Sequence, residues 1–118
     1  MVFIANGNYC MGQSVIMEGF LNGQEYLEMN DNNKTLYVMG LLDGFLLAPL
    51  FFPTDDETSD NLKQLEDTIR GKSNLQFKAI FDKYLNENPE LWDVSASLLF
   101  WNALANAFNI FFKSLNAN

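Results

Sequence analysis

The feature that most constrains the fold of this chain is a long apolar stretch near its C-terminal end with one narrow polar stripe. The stripe residues recur four, three and four positions apart, at Asn102, Asn106, Asn109 and Lys113. That spacing places them on one side of an α-helix running from Ser95 to Leu115. Since the other sides are apolar, the helix needs cover over most of its surface. The cover can come from the chain's own core or from a homodimer contact, and either involves Leu98, Trp101, Leu104, Phe108, Phe111 and Phe112.

The rest of the chain also carries helical signals. Asn22 can cap a short helix that runs to Met29, after which the polar cluster at residues 30–33 is expected to break the pattern. A second helix is predicted from Thr35 to Ala48, because Pro49 disfavours helical geometry at the residue before it. A short third run, from about Asn61 to Ile69, is expected to end at a glycine, Gly71.

The fourth helix is the most regular. Ser73 is expected to cap it, and its apolar residues share one face: Phe77, Ile80, Phe81, Tyr84 and Leu85. Its charged and polar residues are predicted to face solvent: Lys78, Asp82, Lys83 and Glu87. Because no stretch alternates apolar and polar residues as a strand would, we predict an all-α, single compact domain of four to five helices over residues 20–118.

Residues 1–19 are interpreted as an N-terminal arm or a leader remnant. This segment has no lysine or arginine, and its apolar run from Val2 to Ala5 is shorter than the ~7–15 residues of a signal-peptide core. The single cysteine, Cys10, lies in it and has no assigned role; alone, it cannot form an intramolecular disulfide.

The second helix holds two glycines, Gly40 and Gly44, four residues apart. Each costs about 1 kcal/mol relative to alanine in a helix interior, so we expect another helix to pack closely against them. Asp43 lies between them and is expected to hydrogen-bond a neighbouring helix end or a tyrosine, or to point to water. Asp43 and Pro49 also argue against a membrane-spanning segment here, since a charge at the bilayer centre costs about 3 kcal/mol.

Composition narrows the function. Among 118 residues, 15 are acidic and 7 basic, a net charge of −8, which disfavours nucleic-acid binding. The chain has no histidine, so nucleophile–histidine pairs and the usual zinc sites are excluded. We assign no catalytic residue, metal or cofactor.

The acidic residues are densest in one segment, at Asp55, Asp56, Glu57 and Asp60. Clustered carboxylates on a loop can raise association rates with a basic partner, so these four are the candidate partner-binding residues. A solvated loop with no binding role is the alternative. Asp56, Thr58, Asp60 and Asp67 match parts of a calcium-loop pattern, but Asn61 replaces its turn glycine, so calcium is not predicted.

Two segments together resemble the Rap/Tai immunity family, small helical proteins that protect bacteria from peptidoglycan amidases delivered by type VI secretion. In the first segment, Phe20 to Ala48, the resemblance rests on Gly23, Tyr26, Leu27, Met29, Tyr37, Gly40, Asp43 and Gly44. In the second, Phe77 to Phe108, it rests on Tyr84, Leu85, Asn88, Pro89, Ala96, Leu98, Leu99, Ala103, Leu104, Ala107 and Phe108. The segment between Phe52 and Arg70 is longer than the family's usual connection, and the family's cysteines are absent.

The resemblance implies a non-catalytic protein, often dimeric, that binds a cognate secreted amidase and blocks its active site. It also implies the periplasm, although residues 1–23 carry no complete signal peptide, so the sequence leaves the cytoplasm open. A small helical periplasmic stress protein or chaperone without a toxin partner is the alternative, because acidic charge and apolar helix faces suit it as well. An enzyme built on a carboxylate pair has the least support.

Overall fold

The computed structural model describes residues 20–52 and 55–110, which form α-helices joined by short connections. The helices are α1 (Gly23–Leu27), α2 (Asp31–Leu47), α3 (Asp56–Ile69), α4 (Asn74–Glu87) and α5 (Ala96–Phe108). Two short 3-10 turns, Ala48–Leu50 and Pro89–Leu91, follow α2 and α4. Over the described residues, the predicted all-α class with four to five helices is confirmed. Phe111, Phe112 and Lys113, as well as the predicted arm at residues 1–19, lie outside the described residues.

The short helix α1 is held at its N-terminal end. The Asn22 side chain accepts a hydrogen bond from the Glu25 amide, and the Glu25 carboxylate accepts one from the Asn22 amide, which completes a capping box. The preceding chain pairs with the connection before α5, where the Ala96 amide donates to the Leu21 carbonyl at 2.7 Å. These backbone bonds fix α1 against the start of α5.

Helix α2 begins four residues earlier than the sequence pattern predicted. The predicted break after the first helix is confirmed, but it lies at residues 28–30, and most of the polar cluster belongs to α2. Asn30 caps α2, its side chain accepting a hydrogen bond from the Asn33 amide at 2.8 Å. Asp31 lies in the first turn, where a negative charge interacts favourably with the helix dipole. The same polar residue types therefore start a helix here instead of ending one.

The core lies where α4 and α5 pack on each other and on α2. Its buried side chains are Tyr26, Val38, Leu42, Leu65, Phe77, Phe81, Leu85, Ala96, Leu99, Phe100, Ala103, Leu104 and Ala105. The predicted apolar face of α4 is confirmed, with Phe77, Phe81 and Leu85 buried. Aromatic rings connect the helices, since the Phe81 ring lies 4.5 Å from that of Tyr26 and 5.2 Å from that of Phe100.

The expected packing against the α2 glycines is wrong. A Cβ atom added to Gly40 or Gly44 would have nothing within 4 Å, and both residues are exposed. The close approach occurs instead at Gly23, where an added Cβ would lie 3.0 Å from Leu99 Cδ1. Asp43 is exposed, in agreement with the reading that it points to water.

Helix α5 ends earlier than predicted, at Phe108 rather than Leu115. Asn109 adopts a left-handed conformation (φ 54°, ψ 47°), and its amide donates to the Ala105 carbonyl. Asparagine is one of the few residues with a side chain that accept this conformation, which stops the helix. The run before Gly71 was also predicted to end at this glycine. Helix α3 does end just before it, at Ile69, and Gly71 adopts a positive φ of 81°.

Among the described helices, none combines the length and the apolar character that crossing a membrane requires. This agrees with the sequence argument from Asp43 and Pro49 against a membrane span over residues 36–52.

Candidate functional site

The four candidate acidic residues lie on the first turns of α3, not on a loop. Asp55 is the N-cap, its Oδ1 accepting a hydrogen bond from the Thr58 amide at 2.7 Å. Asp56 and Glu57 occupy the first helical turn and Asp60 the next. All four side chains are exposed. The helix begins five residues earlier than predicted because carboxylates favour the cap and first turn, where they meet free amides and the positive end of the dipole.

Asp55 accepts hydrogen bonds from Thr58, and these bonds affect its pKa. Its bonds from Thr58 lower the pKa of the Asp55 carboxyl, because they stabilise the charged form. Asp55 is therefore a charged cap at neutral pH, and part of its hydrogen-bonding capacity is already used within α3.

Three of the four carboxylates share one side of the helix, since Asp60 follows Asp56 by four residues and Glu57 by three. Asp56 and Asp60 stand two residues on either side of Thr58, which places them about 160° from it around the helix axis. Asp55 precedes Thr58 by three residues and so lies near its side of the helix. Asp56, Glu57 and Asp60 thus form the acidic side of α3, and Asp55 lies on the side of Thr58.

Thr58 faces an apolar pocket formed by three parts of the chain. Phe45, Ala48, Pro49 and Phe52 come from the end of α2 and the segment after it, Thr58 and Leu62 from α3, and Trp101 from α5. The pocket has a volume of about 250 Å³. In one wall, the Trp101 ring meets the Phe45 ring edge-on, with centroids 5.0 Å apart and planes at 89°. Sequence reasoning found neither this pocket nor the role of Trp101 in it, since its wall residues are distant in the chain.

Large exposed apolar side chains stand next to the pocket residues Ala48, Pro49 and Phe52 in the chain. Pro49 lies in the 3-10 turn that follows α2, and the chain then carries Leu50, Phe51 and Phe52 to the surface. These three side chains are 74%, 73% and 68% exposed. Leu47, on the last turn of α2, is also exposed. We call the surface of Leu47, Leu50, Phe51 and Phe52 the apolar rim.

The charge along the chain that forms this pocket is mostly negative. From Thr35 to Lys63 the sequence contains five carboxylates, those of Asp43, Asp55, Asp56, Glu57 and Asp60, and one basic residue, Lys63, which follows the pocket residue Leu62. Six of the seven pocket residues belong to this stretch. The combination of an apolar pocket, an apolar rim and adjacent negative charge is the surface most suited to a binding role in the described structure.

The residues predicted to form either a core helix or a dimer contact have different surroundings. Leu104 has no exposed surface, and Trp101 and Phe108 are half-buried, Phe108 against Phe77 with ring centroids 6.1 Å apart. Leu98 is 53% exposed. The chain's own helices therefore cover most of α5 between Ala96 and Phe108, as the core alternative predicts.

A partly buried polar cluster joins α1, α2 and α4, and it was not predicted from the sequence. The Tyr26 hydroxyl donates to Asp82 Oδ1 at 2.9 Å, and Lys78 Nζ donates to Asp82 Oδ2 at 2.7 Å. Lys78 also lies 3.4 Å from an Asp31 carboxylate oxygen. The placement of Lys78 and Asp82 on a solvent face was wrong, because their side chains are only 15% and 22% exposed. Their four-residue spacing was the available signal.

This cluster shifts two pKa values in the same direction. Burial and the neighbouring Asp82 raise the pKa of the Tyr26 hydroxyl, and the hydrogen bond with Asp82 raises the pKa of the Lys78 ammonium. Tyr26 therefore stays neutral and Lys78 stays charged at neutral pH. Each group is held in its ordinary form, which suits a brace between helices rather than proton transfer.

No group of three or more potential metal-ligating residues converges in the part of the chain that the structure describes. The partial calcium pattern falls on α3, where Asp56 and Asp67 belong to opposite ends of one helix. Those residues do not form a loop around an ion.

Comparisons with protein-family models, with curated proteins and with solved structures found no match to this chain.

Proposed function

We propose that this chain is an immunity-type binding protein that inhibits a cognate peptidoglycan amidase by covering its active site. The observation that carries the proposal is the apolar rim beside the pocket and the acidic start of α3. Three successive large apolar residues, Leu50, Phe51 and Phe52, are mostly exposed. Apolar surface of this kind on a soluble protein marks an interaction site.

The resemblance in sequence to the Rap/Tai immunity family indicates the kind of partner, a secreted amidase. Its two segments correspond to α1 with α2 and to α4 with α5, the helices that build the core. Helix α3 and the end of the apolar rim fall in the longer connection between those segments. A shared core with a chain-specific insertion suits a protein whose scaffold is common and whose partner is particular.

Occlusion requires surface complementarity and no chemistry of this chain's own. The apolar rim would lose its contact with water at the toxin, and the carboxylates at the start of α3 would attract a basic cleft and speed the encounter. Because exposed ion pairs contribute little each, the apolar contacts are expected to supply most of the affinity and the charges most of the rate.

The direct test uses the full chain and a purified peptidoglycan amidase encoded beside its gene. We expect amide hydrolysis to fall in proportion to added chain and to stop near one chain per enzyme. Undiminished hydrolysis at a several-fold excess of the chain would overturn the proposal.

The acidic turn is tested by a variant carrying Asp55→Asn, Asp56→Asn, Glu57→Gln and Asp60→Asn. These changes remove charge while leaving a capping residue at position 55. We expect slower association with the amidase at low salt and a smaller difference at high salt, where screening reduces the effect. A matched control removes four exposed carboxylates elsewhere, with Glu28→Gln, Glu66→Gln, Glu87→Gln and Glu90→Gln, and should slow association much less. Equal rates at low salt for the acidic-turn variant and the original chain would exclude this turn from the mechanism.

The exposed rim also favours a second candidate, a small helical stress protein that holds unfolded clients on apolar surface. The two functions differ in stoichiometry and selectivity. A chaperone protects several unrelated proteins from aggregation after an acid shift, whereas an immunity protein inhibits one amidase. Protection of unrelated clients without amidase inhibition would favour the second candidate.

Dimer formation is a separate part of the proposal. Leu98 on α5 and the exposed face of α2 are the places where a second copy could pack. Sedimentation of the full chain tests this, and a Leu98→Ser variant shows whether α5 is involved.

A further inference from the structure

The pocket next to α3 is smaller than a site for a cofactor or a drug-sized molecule. Its volume is about 250 Å³, below the ~300–1,000 Å³ typical of small-molecule pockets. A cavity of this size receives one large side chain. Its walls are almost wholly apolar, with Phe45, Leu62 and Trp101 among them, so the side chain that fits is itself apolar.

The pocket has the arrangement of a binding hot spot. The strongest contacts of protein interfaces are large side chains inserted into a central apolar pocket, surrounded by contacts that exclude water. Here the apolar rim supplies the surrounding surface, since Phe52 lines the pocket and Leu50 and Phe51, which stand between the lining residues Pro49 and Phe52 in the chain, are also exposed.

The charge near the pocket determines which residues of a partner can lie beside that apolar side chain. The stretch from Thr35 to Lys63, which forms most of the pocket, has five carboxylates and one basic residue, Lys63. Asp55 is hydrogen-bonded to Thr58, a pocket residue, so negative charge begins at the pocket edge. A partner segment with acidic residues beside its anchor would be repelled, and one with lysine or arginine would be attracted.

We propose that this pocket binds an apolar side chain of a protein partner, phenylalanine or leucine in size, that is flanked in the partner's sequence by lysine or arginine. The inference rests on the proposed function, because it states which part of the partner the surface receives. A second copy of this chain fits less well, since it would bring the same excess of carboxylates to the interface.

The test uses the full ¹⁵N-labelled chain and four synthetic pentapeptides. Their central residue is Phe or Ser, and their four flanking residues are all Arg or all Glu. The readout is the indole N–H signal of each tryptophan. Trp101 lines the pocket, whereas the Trp92 indole donates to the Leu85 carbonyl at 2.7 Å and serves as the internal reference.

We expect the Arg-flanked Phe peptide to shift the Trp101 signal with saturation and to leave the Trp92 signal in place. Exchanging Arg for Glu should weaken binding roughly tenfold or more at low salt, and exchanging the central Phe for Ser should abolish the shift. Absence of a Trp101 shift with the Arg-flanked Phe peptide would overturn the proposal. So would equal binding of the Arg-flanked and Glu-flanked Phe peptides.

Matched variants locate the binding surface. Phe52→Ser changes the pocket wall, and Leu75→Ser changes a side chain of the same exposure, 68% for each, at the start of α4. Both residues are largely in water already, so neither change is expected to affect folding. Phe52→Ser should weaken peptide binding at least about fivefold, while Leu75→Ser should not. Sedimentation of the Phe52→Ser variant completes the test, because dissociation of a dimer by this change would assign the pocket to a second copy and overturn the proposal.

The peptide experiment and the amidase experiment can overturn the pocket inference and the proposed function independently of each other. Amidase inhibition that is unaffected by Phe52→Ser would overturn the pocket inference and leave the proposed function standing. Peptide binding at Trp101 by a chain that inhibits no amidase would overturn the proposed function, and the pocket would still be a receptor for a basic-flanked apolar side chain.

Discussion

The Tyr26 hydroxyl donates a hydrogen bond to the Asp82 carboxylate at 2.9 Å, joining two helices that lie 56 residues apart in the chain. Tyr26 has no exposed surface, and Asp82 also accepts a hydrogen bond from Lys78. A buried hydroxyl without this acceptor would lose its bonds with water and gain none in return. The bond therefore fixes α1 against α4 at one position.

Tyr26→Phe is expected to destabilise the fold moderately. The ring and its contact with Phe81 remain, whereas the hydrogen bond to a charged acceptor is lost. Such bonds contribute about 1.5–3 kcal/mol. Because Asp82 keeps Lys78, we expect a loss of about 1–2 kcal/mol in urea unfolding. Tyr84→Phe is the control, since it removes a hydroxyl two residues along α4 from Asp82, on another side of the helix. Equal stability of Tyr26→Phe and the original chain would show that the bond contributes nothing.

Alkaline pH is expected to weaken the fold. The folded-state pKa values of Tyr26, Tyr37 and Lys78 are all raised, by burial for the tyrosines and by the Asp82 hydrogen bond for Lys78. A group with a raised folded pKa stabilises the fold fully below its unfolded pKa, about 10 for both residue types, and this stabilisation is lost as the pH rises through the folded pKa. The urea midpoint should therefore fall above about pH 10.

Comparison with Tyr26→Phe isolates one contribution to that fall. The variant lacks one of the titrating groups, so its midpoint should decline less steeply between about pH 10 and 12. A variant that declines as steeply as the original chain would show that Tyr26 does not contribute to the alkaline loss.

Gly40→Ala and Gly44→Ala are each expected to stabilise the fold. Both positions are helical and exposed, and an added Cβ has nothing within 4 Å. Alanine is favoured over glycine in a helix interior by about 1 kcal/mol, so thermal unfolding should show a gain of about 0.5–1 kcal/mol for each change.

Gly23→Ala is expected to change stability in the opposite direction from Gly40→Ala and Gly44→Ala. Its Cβ would lie 3.0 Å from Leu99 Cδ1, 3.2 Å from Leu85 Cδ2 and 3.3 Å from the Trp92 Cα atom, so the change should destabilise the fold. If Gly40→Ala or Gly44→Ala destabilised the protein as well, the exposed face of α2 would be covered in solution.

Two replacements of Asp55 separate its role as a helix cap from the effect of its charge. Asp55→Ala removes the side chain that accepts from the Thr58 amide, so it should lower the urea midpoint. Asp55→Asn removes only the charge and should keep most of the stability at neutral pH, since asparagine caps helices about as well. The pKa of Asp55 is lowered in the fold, so the benefit of its charge is present above the unfolded pKa and is lost as the pH falls through the folded pKa. A larger loss for Asp55→Asn than for Asp55→Ala would contradict the capping role.

Local sequence signals predicted most of the helices but not all of their ends. The apolar face of α4 follows from spacing alone, and so does the cap at Asn22. The signals failed where one residue type has two uses. Asparagine and aspartate at residues 30–33 and 55–57 occur both in loops and at helix starts, and only the backbone geometry shows which applies.

The candidate site, too, could be predicted from the sequence only in part. The acidic residues could be recognised as a group from the sequence, whereas the start of α3 at Asp56 decides that three of them share one side of a helix and that Asp55 caps it. The pocket could not be predicted, because Trp101 reaches it from a helix about 40 residues after Leu62.

By itself, the sequence determined the helical class, the apolar faces of α4 and α5 and the lack of histidine, since these follow from composition and from spacing within one helix. Only the tertiary structure decided that Lys78 and Asp82 are sheltered with Tyr26, that Gly40 and Gly44 face open space, and that Phe52 and Trp101 share a pocket. The physical reason is that burial and charge pairing depend on which helices meet. Helical periodicity shows which residues share a face but not what that face contacts.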